Sequence, residues 1–286
     1  MSVPFFLSKK ILGVGTAALA AGVLIGVLVG RFWGPVPAAG CQEQDLTPVP
    51  DLTFLPSSTL TAEDSSATLQ ADPLPEKWVC LTFDDGPSKT TPDVLRALDT
   101  AGVKATFFVV ATDYNEKYLP LLTEASAKGH QIALHSASHE YSDIYRSTEA
   151  YWNDLTRLKE RIAPYVDVEH IRYLRFPGGS TNTVSRRYGG KGLMKALKSE
   201  VEQKGYQWVD WNVCAEDAVG GKPSADTIFR NVVRETGEQT QCIVLMHDSA
   251  STHTTAEALP NIIRWYQDHG FAFCTVEQAV PQNHTT

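Results

Sequence analysis

Short apolar runs alternate with longer amphipathic stretches between residues 78 and 282. The longer stretches predict helices; in one of them Tyr151, Leu155, Leu158 and Ile162 recur at spacings of four, three and four, which is one helical face. Strands that alternate with helices are typical of βα units around a parallel sheet. The pattern therefore predicts an α/β fold, a (β/α) barrel of about seven strands. The apolar runs that predict strands are residues 78–83, 105–110, 131–135, 171–176, 206–213, 242–247 and 271–276.

A different pattern occupies the N-terminus. Residues 11–30 contain no charged side chain and follow Lys9 and Lys10. About 20 apolar residues span a bilayer as a helix, and flanking lysines favour the cytoplasmic side. We expect residues 1–10 in the cytoplasm, a transmembrane signal anchor at 11–30 and a single-pass membrane protein with its globular part outside. A buried soluble helix is one alternative, and lipidation at Cys41, which ends the stretch PAAGC, is another.

Residues 31–77 are rich in Pro, Ser, Thr and acids and predict a disordered linker before a globular domain at 78–282. The formal charge of the chain is −8, and residues 42–77 hold seven acids against one base. Because nucleic-acid binding requires a basic face, a nucleic-acid partner is not expected. The sequence contains neither a GxGxxG motif nor a P-loop, so no nucleotide partner is expected either.

The five cysteines show no CxxC spacing, which excludes a zinc knuckle. A disulfide is permitted outside the cytoplasm but is not required. The sequence leaves the pairing open among Cys80, Cys214, Cys242 and Cys274.

Ionisable or turn-forming residues follow five of the predicted strands. In a (β/α) barrel the carboxyl ends of the strands meet at one rim, and active sites lie there. We therefore predict that these residues form one site. They are Asp84 and Asp85 after the first strand, His135 to His139 after the third, Arg175 to Gly179 after the fourth, Asp217 beyond the fifth, and His247 and Asp248 at the sixth.

The motif HSASH places His135 and His139 four residues apart, and TFDDGP places two carboxylates side by side. Adjacent carboxylates at the end of an apolar strand are unfavourable without a nearby cation. Gly86 and Pro87 force a turn, so one aspartate can bind a metal while the other stays free. Two histidines and one aspartate leave coordination positions open, as hydrolytic metal sites do. The alternative interpretation is a helix cap with an ion pair and two structural histidines.

Five ordered motifs resemble those of the polysaccharide deacetylases with the NodB homology domain, carbohydrate esterase family 4. The resemblance covers about residues 78–280 and implies a distorted, often incomplete (β/α) barrel. It also implies an enzyme that removes N-acetyl groups from peptidoglycan, chitin or related glycans with zinc or another divalent metal. The motifs are LTFDDGP, HSASH, RFPGG, WNVCAEDA and IVLMHD.

The resemblance implies a role for each aspartate of the doublet. Asp84 corresponds to the general base, and Asp85 corresponds to a metal ligand together with His135 and His139. Arg175 corresponds to the arginine that pairs with the base and fixes its orientation. This assignment is consistent with physical chemistry, because a free carboxylate beside a metal can accept a proton from water.

The remaining site residues are also implied by the resemblance. His247 corresponds to the general acid, and Asp217 to the carboxylate that keeps this histidine protonated. Leu245 corresponds to the apolar wall of the acetyl pocket. Gly178 stands where the family usually has an aromatic residue whose backbone N–H helps to hold the oxyanion.

The fourth motif departs from the family pattern. Cys214 replaces an aspartate and Ala218 replaces a tryptophan. The second change widens the acetyl pocket or leaves Trp208 or Trp211 to line it. We expect activity to survive and substrate preference to differ.

The sequence thus predicts a membrane-tethered, metal-dependent hydrolase that acts on an extracytoplasmic N-acetylated glycan, foremost the N-acetylglucosamine of peptidoglycan in the cell wall. The expected metal is Zn²⁺, with Co²⁺ or Ni²⁺ as alternatives for a site of two histidines and one aspartate. Alternative functions are a chitooligosaccharide deacetylase, an O-acetyl esterase of the acetylxylan type, and an inactive glycan-binding protein.

Overall fold

Eight parallel strands form one sheet in the computed structural model, which describes residues 74–280. Their order is β5-β4-β3-β2-β1-β7-β6, and β8 pairs with the start of β1. The strands are β1 Trp78–Asp84, β2 Thr106–Val110, β3 Gln131–Ser136, β4 Tyr173–Leu174, β5 Gln207–Trp208, β6 Val213–Cys214, β7 Gln241–His247 and β8 Ala272–Phe273.

Helices connect the strands and cover the sheet. They are α1 Thr91–Ala101, α2 Leu121–Ala127, α3 Tyr141–Ile144, α4 Thr148–Ile162, α5 Val184–Gly189, α6 Leu193–Gln203, α7 Ala225–Thr236, α8 His253–Asp268 and α9 Val276–Ala279, with short 3-10 helices at Glu116–Tyr118 and Val168–His170.

The core lies between the central strands and the apolar faces of the helices. In β1 every residue from Val79 to Asp84 is buried, which matches the continuous apolar run typical of a parallel strand covered on both faces. The predicted face of α4, from Tyr151 to Ile162, is also buried. The sequence TTPDVLRALDTAG predicts a helix with Pro92 in its first turn and Gly102 at its end; α1 has both, with a φ of +67° at Gly102.

The prediction of one strand at 206–213 is wrong. This segment forms β5 and β6, which lie at opposite ends of the strand order, with residues 209–212 between them. The guanidinium of Arg175 donates hydrogen bonds to the carbonyl oxygens of Val209 and Asp210, at 3.0 and 3.2 Å. These two carbonyl groups therefore do not take part in strand pairing. Because β5 and β6 do not pair, the sheet is a curled, incomplete barrel, as the resemblance implies.

Other differences are local. Residues 118–128, which end just before Gly129, predict one helix, but Pro120 has no N–H to continue it and α2 begins only at Leu121. The last strand is shorter than predicted because Thr275 and Gln278 form a capping box that starts α9. The sequence also predicts Thr91 as the cap of α1, but Thr91 lies inside the helix and Thr90 holds the cap position.

Within residues 74–280 no helix is both long enough and apolar enough to cross a bilayer. The predicted cytoplasmic residues 1–10, the anchor at 11–30 and almost all of the linker at 31–77 lie outside the described residues. Cys80, Cys214, Cys242 and Cys274 are free thiols, although the Sγ atoms of Cys80 and Cys274 are 3.3 Å apart.

Candidate active site and metal centre

Two adjacent carboxylates at the end of β1 point in different directions. Asp84 is the last residue of the strand, and Asp85 follows it with a φ of +67°, in the left-handed region. This change of backbone direction separates the two side chains, as the sequence predicted. Gly86 completes the turn at a position where any Cβ would collide with the carboxylate of Asp248, so the turn requires glycine.

The carboxylate of Asp85 faces two imidazoles. Its Oδ1 lies 3.4 Å from Nε2 of His139 and 3.6 Å from Nε2 of His135. Ligand atoms about 2.0–2.1 Å from a tetrahedral ion are roughly 3.4 Å from each other, so this spacing fits one ion. Oδ1 of Asp85 is also buried without a hydrogen-bond partner among the described residues. The three predicted metal ligands therefore form the candidate metal site of the described chain.

Asp154 of α4 holds the loop after β3 in place through hydrogen bonds. Its buried carboxylate accepts hydrogen bonds from the hydroxyls of Ser136 and Ser138 at 2.6 and 2.8 Å, and from the N–H groups of Ala137 and Ser138 at 2.8 and 3.1 Å. These bonds shape the turn that ends at His139, whose φ is +55°. Asp154 was not predicted, although an acid on the otherwise apolar face of α4 is a signal for such a role.

The orientation of His135 is set by its other ring nitrogen. Nδ1 lies 2.7 Å from the carbonyl oxygen of Arg175, so Nδ1 carries the proton and Nε2 is free to bind a metal. Burial lowers the pKa of His135 and keeps its imidazole neutral, as a ligand must be. Burial alone would raise the pKa of Asp85, but the charges of neighbouring groups, with His139 the largest contributor, outweigh it and hold that pKa below its ordinary value.

Asp84 has a different partner. Its Oδ1 accepts a hydrogen bond of 2.8 Å from Nη1 of Arg175, and both side chains are buried. Arg175 also donates to the hydroxyl of Thr82 at 2.8 Å and lies 4.0 Å from the centroid of the Phe108 ring. The second oxygen of Asp84 lies 3.8 Å from Nε2 of His135. Asp84 is thus beside the candidate metal site while its charge is balanced by Arg175.

His247 ends β7 directly beside the end of β1, in register with Asp84. Its Nδ1 is 2.8 Å from Oδ1 of Asp217, and its backbone N–H donates to Oδ2 of the same residue at 2.7 Å. The hydroxyl of Thr255 also donates to Asp217. Burial would lower the pKa of His247, but the hydrogen bond and charge of Asp217 outweigh it and raise that pKa to about 9. Its Nε2 can therefore carry a proton at neutral pH.

The rim of the site is formed by the loop after β4. Gly178 is exposed with a φ of +76°, and its N–H has no hydrogen-bond partner within residues 74–280. A Cβ at Gly178 would lie 3.2 Å from the hydroxyl of Tyr141, whose ring centroid is 5.5 Å from that of His139. Tyr141 was not predicted, because it belongs to a short helix without a sequence signal. Tyr141 places an aromatic ring beside Gly178, the position at which the family usually has an aromatic residue.

The fourth motif lies at the edge of the sheet. Cys214 of β6 pairs with Leu245 of β7, which is buried, and Ala218 is exposed. Trp211 contacts the rim: its ring would touch a Cβ at Gly179 and lies 5.5 Å from the guanidinium carbon of Arg175. Trp208 packs against Phe176 on the core side. Of the two tryptophans considered for the acetyl pocket, Trp211 is therefore the one beside the site.

Comparison with known proteins agrees with this geometry. Residues 71–193 match the family model described as polysaccharide deacetylase. The catalytic domain of a peptidoglycan N-acetylglucosamine deacetylase from Eubacterium rectale is 37% identical, with a TM-score of 0.66, and the similarity covers 73% of this chain and 93% of that domain. This chain belongs to the polysaccharide deacetylase family.

Other relatives of this polysaccharide deacetylase are similar over most of the described domain. A peptidoglycan-N-acetylglucosamine deacetylase of Bacillus cereus is 29% identical over 202 residues, which are 69% of this chain and 68% of the relative. A family 4 acetyl xylan esterase from Clostridium thermocellum, solved in complex with a cobalt ion, is 27% identical with a TM-score of 0.56 and covers 71% of this chain and 90% of its own.

Family membership confirms the predicted enzyme class, a hydrolase of carbon–nitrogen bonds other than peptide bonds that acts on glycans. The family match spans the doublet at the end of β1, both histidines of HSASH, Arg175 and Gly178. Asp217, Leu245 and His247 lie beyond the matched residues, so their assignment depends on the geometry given above.

Proposed function

We propose that this polysaccharide deacetylase removes N-acetyl groups from the N-acetylglucosamine of peptidoglycan outside the cytoplasm, with Zn²⁺ as its metal ion. The observation that carries the proposal is the separation of two adjacent carboxylates, one paired with Arg175 and the other facing His135 and His139. The names of the Eubacterium rectale and Bacillus cereus relatives support peptidoglycan as the substrate.

Asp85, His135 and His139 would hold the ion, which when bound polarises the acetyl carbonyl and makes water more acidic. Oδ1 of Asp84 is occupied by Arg175, so its Oδ2 accepts the proton of the attacking water. The exposed N–H of Gly178 donates to the oxygen of the carbonyl as negative charge develops there. His247 gives its proton to the sugar nitrogen, the carbon–nitrogen bond breaks, and acetate and a free amine are released.

The location is part of the proposal. Residues 11–30 act as a single-pass membrane anchor, and the catalytic domain lies on the outer side of the cell membrane. Support comes from the uncharged segment of 20 residues, the lysines before it and the acidic linker after it. Such a tether keeps the enzyme near the wall polymer.

Metal removal is expected to abolish acetate release. Because Asp85, His135 and His139 supply three ligands, treating the full-length protein with a strong chelator should stop acetate release from purified peptidoglycan, and added Zn²⁺ or Co²⁺ should restore it. His139→Ala should remain inactive at the same metal concentration. The matched control is His170→Ala, because His170 is exposed and its side chain bonds only to Asp167 among the residues that the structure describes.

The same assay separates the alternative substrates. Chitooligosaccharide and acetylxylan are tested beside peptidoglycan. Acetylxylan is included because one relative is an acetyl xylan esterase. Release of acetate that persists after complete metal removal would show that the mechanism is wrong. Activity on chitooligosaccharide or acetylxylan without activity on peptidoglycan would show that the substrate assignment is wrong.

The alkaline limit of activity should depend on Asp217. His247 donates a proton, so kcat should fall as the pH rises through its pKa of about 9. In Asp217→Asn the stabilising charge is lost and burial continues to favour the neutral imidazole, so the alkaline limb should move about 1–3 units to lower pH. Asp226→Asn, on the exposed surface of α7, is the control and should leave the profile unchanged. An unshifted profile in Asp217→Asn would argue against His247 as the acid.

A further inference from the structure

Positive charge is concentrated in one segment of an acidic protein. Residues 170–199 contain no Asp or Glu, whereas the whole chain has a formal charge of −8. This segment runs from the start of β4 through α5 and most of α6. Most of the cations in this segment are exposed, so their charges are not needed to stabilise buried groups of the fold. The absence of acids from these 30 residues therefore has no explanation in the fold itself. The cations are Arg172, Arg175, Arg186, Arg187, Lys191, Lys195 and Lys198.

Part of this segment encloses a cavity of about 330 Å³ between the loop after β4 and helices α5 and α6. We call it the basic cavity. Arg186, Lys191, Lys195 and Lys198 line it together with hydroxyl and amide groups, and no carboxylate is among its lining residues. None of these four cations forms an ion pair within residues 74–280. Nζ of Lys198 lies 4.6 Å from the centroid of the Trp208 ring, whereas the charges of Arg186, Lys191 and Lys195 have no such partner among residues 74–280 and are available to a ligand.

The basic cavity adjoins the proposed catalytic centre. Its wall begins at Ser180, two residues after Gly178, and a Cβ at Gly178 would lie 3.4 Å from Cβ of Asn182. Asn182 donates to the carbonyl oxygen of Gly179 at 2.7 Å, and Ser180 is held by Asp210 through its N–H and hydroxyl. The same rigid loop thus presents the N–H of Gly178 on one side and the basic cavity on the other.

We propose that the basic cavity binds a carboxylate carried by the glycan next to the sugar that is deacetylated. This inference rests on the proposed function, which it deepens by naming the charge of the substrate. Peptidoglycan carries carboxylates on its stem peptides and, where these are removed, on the lactyl groups of alternate sugars. Chitooligosaccharide carries none. The basic cavity therefore selects an anionic glycan over a neutral one with the same acetamido group.

The test uses the full-length protein with Lys191→Gln/Lys195→Gln. The matched control, Lys104→Gln/Lys204→Gln, removes the same charge from exposed positions before β2 and β5, at the opposite ends of the strands. Three substrates of equal glycan length are compared: peptidoglycan with stem peptides, peptide-free glycan with lactyl carboxylates, and chitooligosaccharide. The first two distinguish the two sources of the carboxylate.

The cavity variant should lose about tenfold in kcat/KM on at least one of the two carboxylate-bearing substrates and change less than about twofold on chitooligosaccharide. The loss should diminish at high salt, because exposed charges are screened. The control variant should match the wild type on all three substrates. An equal loss on all three substrates, or no loss on either carboxylate-bearing one, would overturn the proposal.

A binding measurement separates this inference from the proposed function. Wild type and cavity variant are titrated with fluorescently labelled glycans that carry stem peptides or lactyl carboxylates, with the same glycans after their carboxylates are converted to carboxamides, and with a poly(glycerol phosphate). If no substrate is deacetylated, the proposed function fails, and the titration still decides on the basic cavity. Binding that requires both the carboxylates and the two lysines supports it. Equal binding of each glycan and its carboxamide form, or binding only of the poly(glycerol phosphate), overturns it.

Discussion

Asp84→Asn is expected to lower kcat for acetate release by about 1000-fold, since loss of a positioned general base removes a contribution in the range of 100- to 10,000-fold. Asn can still accept a hydrogen bond from the buried guanidinium of Arg175, but it cannot take a proton from water. Metal content should stay at one ion per chain, because the predicted ligands are Asp85 and the two histidines. Acetate release and metal analysis of the same preparation measure both properties.

The control for this change is Asp93→Asn, in the exposed first turn of α1. It makes the same chemical substitution away from the site and should retain wild-type kcat. If Asp84→Asn keeps more than about a tenth of wild-type activity, Asp84 is not the base. If it loses the metal together with activity, Asp84 is a ligand instead.

Arg175→Leu is expected to lower the free energy of unfolding by about 3–5 kcal/mol, the range found when one partner of a buried ion pair is removed. Leu leaves the buried carboxylate of Asp84 without a cation, and leaves the hydroxyl of Thr82 and the carbonyl of Val209 without their donor. For a domain of this size the melting temperature should fall by about 10 °C. Urea unfolding of the full-length protein measures the change.

Two further variants test the cause of this loss. Arg96→Leu replaces an arginine on the exposed side of α1 and should change the free energy of unfolding by less than about 0.5 kcal/mol. Asp84→Asn/Arg175→Leu removes both charges, so it should be more stable than Arg175→Leu alone. A double variant as unstable as the single one would mean that lost packing, and not an unpaired charge, destabilises Arg175→Leu.

The sequence predicted the place of the site because parallel strands deliver the residues that follow them to one rim. It did not decide from the residues alone which member of the doublet binds the metal; the resemblance assigned Asp85. The structure gives the physical reason, which is the left-handed backbone of Asp85 that turns its carboxylate toward the imidazoles of HSASH.

Other features depend on contacts that local patterns cannot reveal. The apolar run at 206–213 predicts one strand. Arg175, more than 30 residues earlier, donates hydrogen bonds to two of its carbonyl groups and interrupts the strand. Asp154 and Tyr141 support the site from α4 and α3, and their roles depend on which loop packs above them. Such long-range pairings arise only when the chain is folded.

Arg175 follows a strand of two residues and yet joins both halves of the candidate centre. Its guanidinium holds Asp84 of β1, and its carbonyl oxygen holds the imidazole of His135 on β3. A displacement of this residue would carry the proton acceptor and the metal ligand in the same direction. The spacing between these two side chains therefore depends directly on one residue that contacts both.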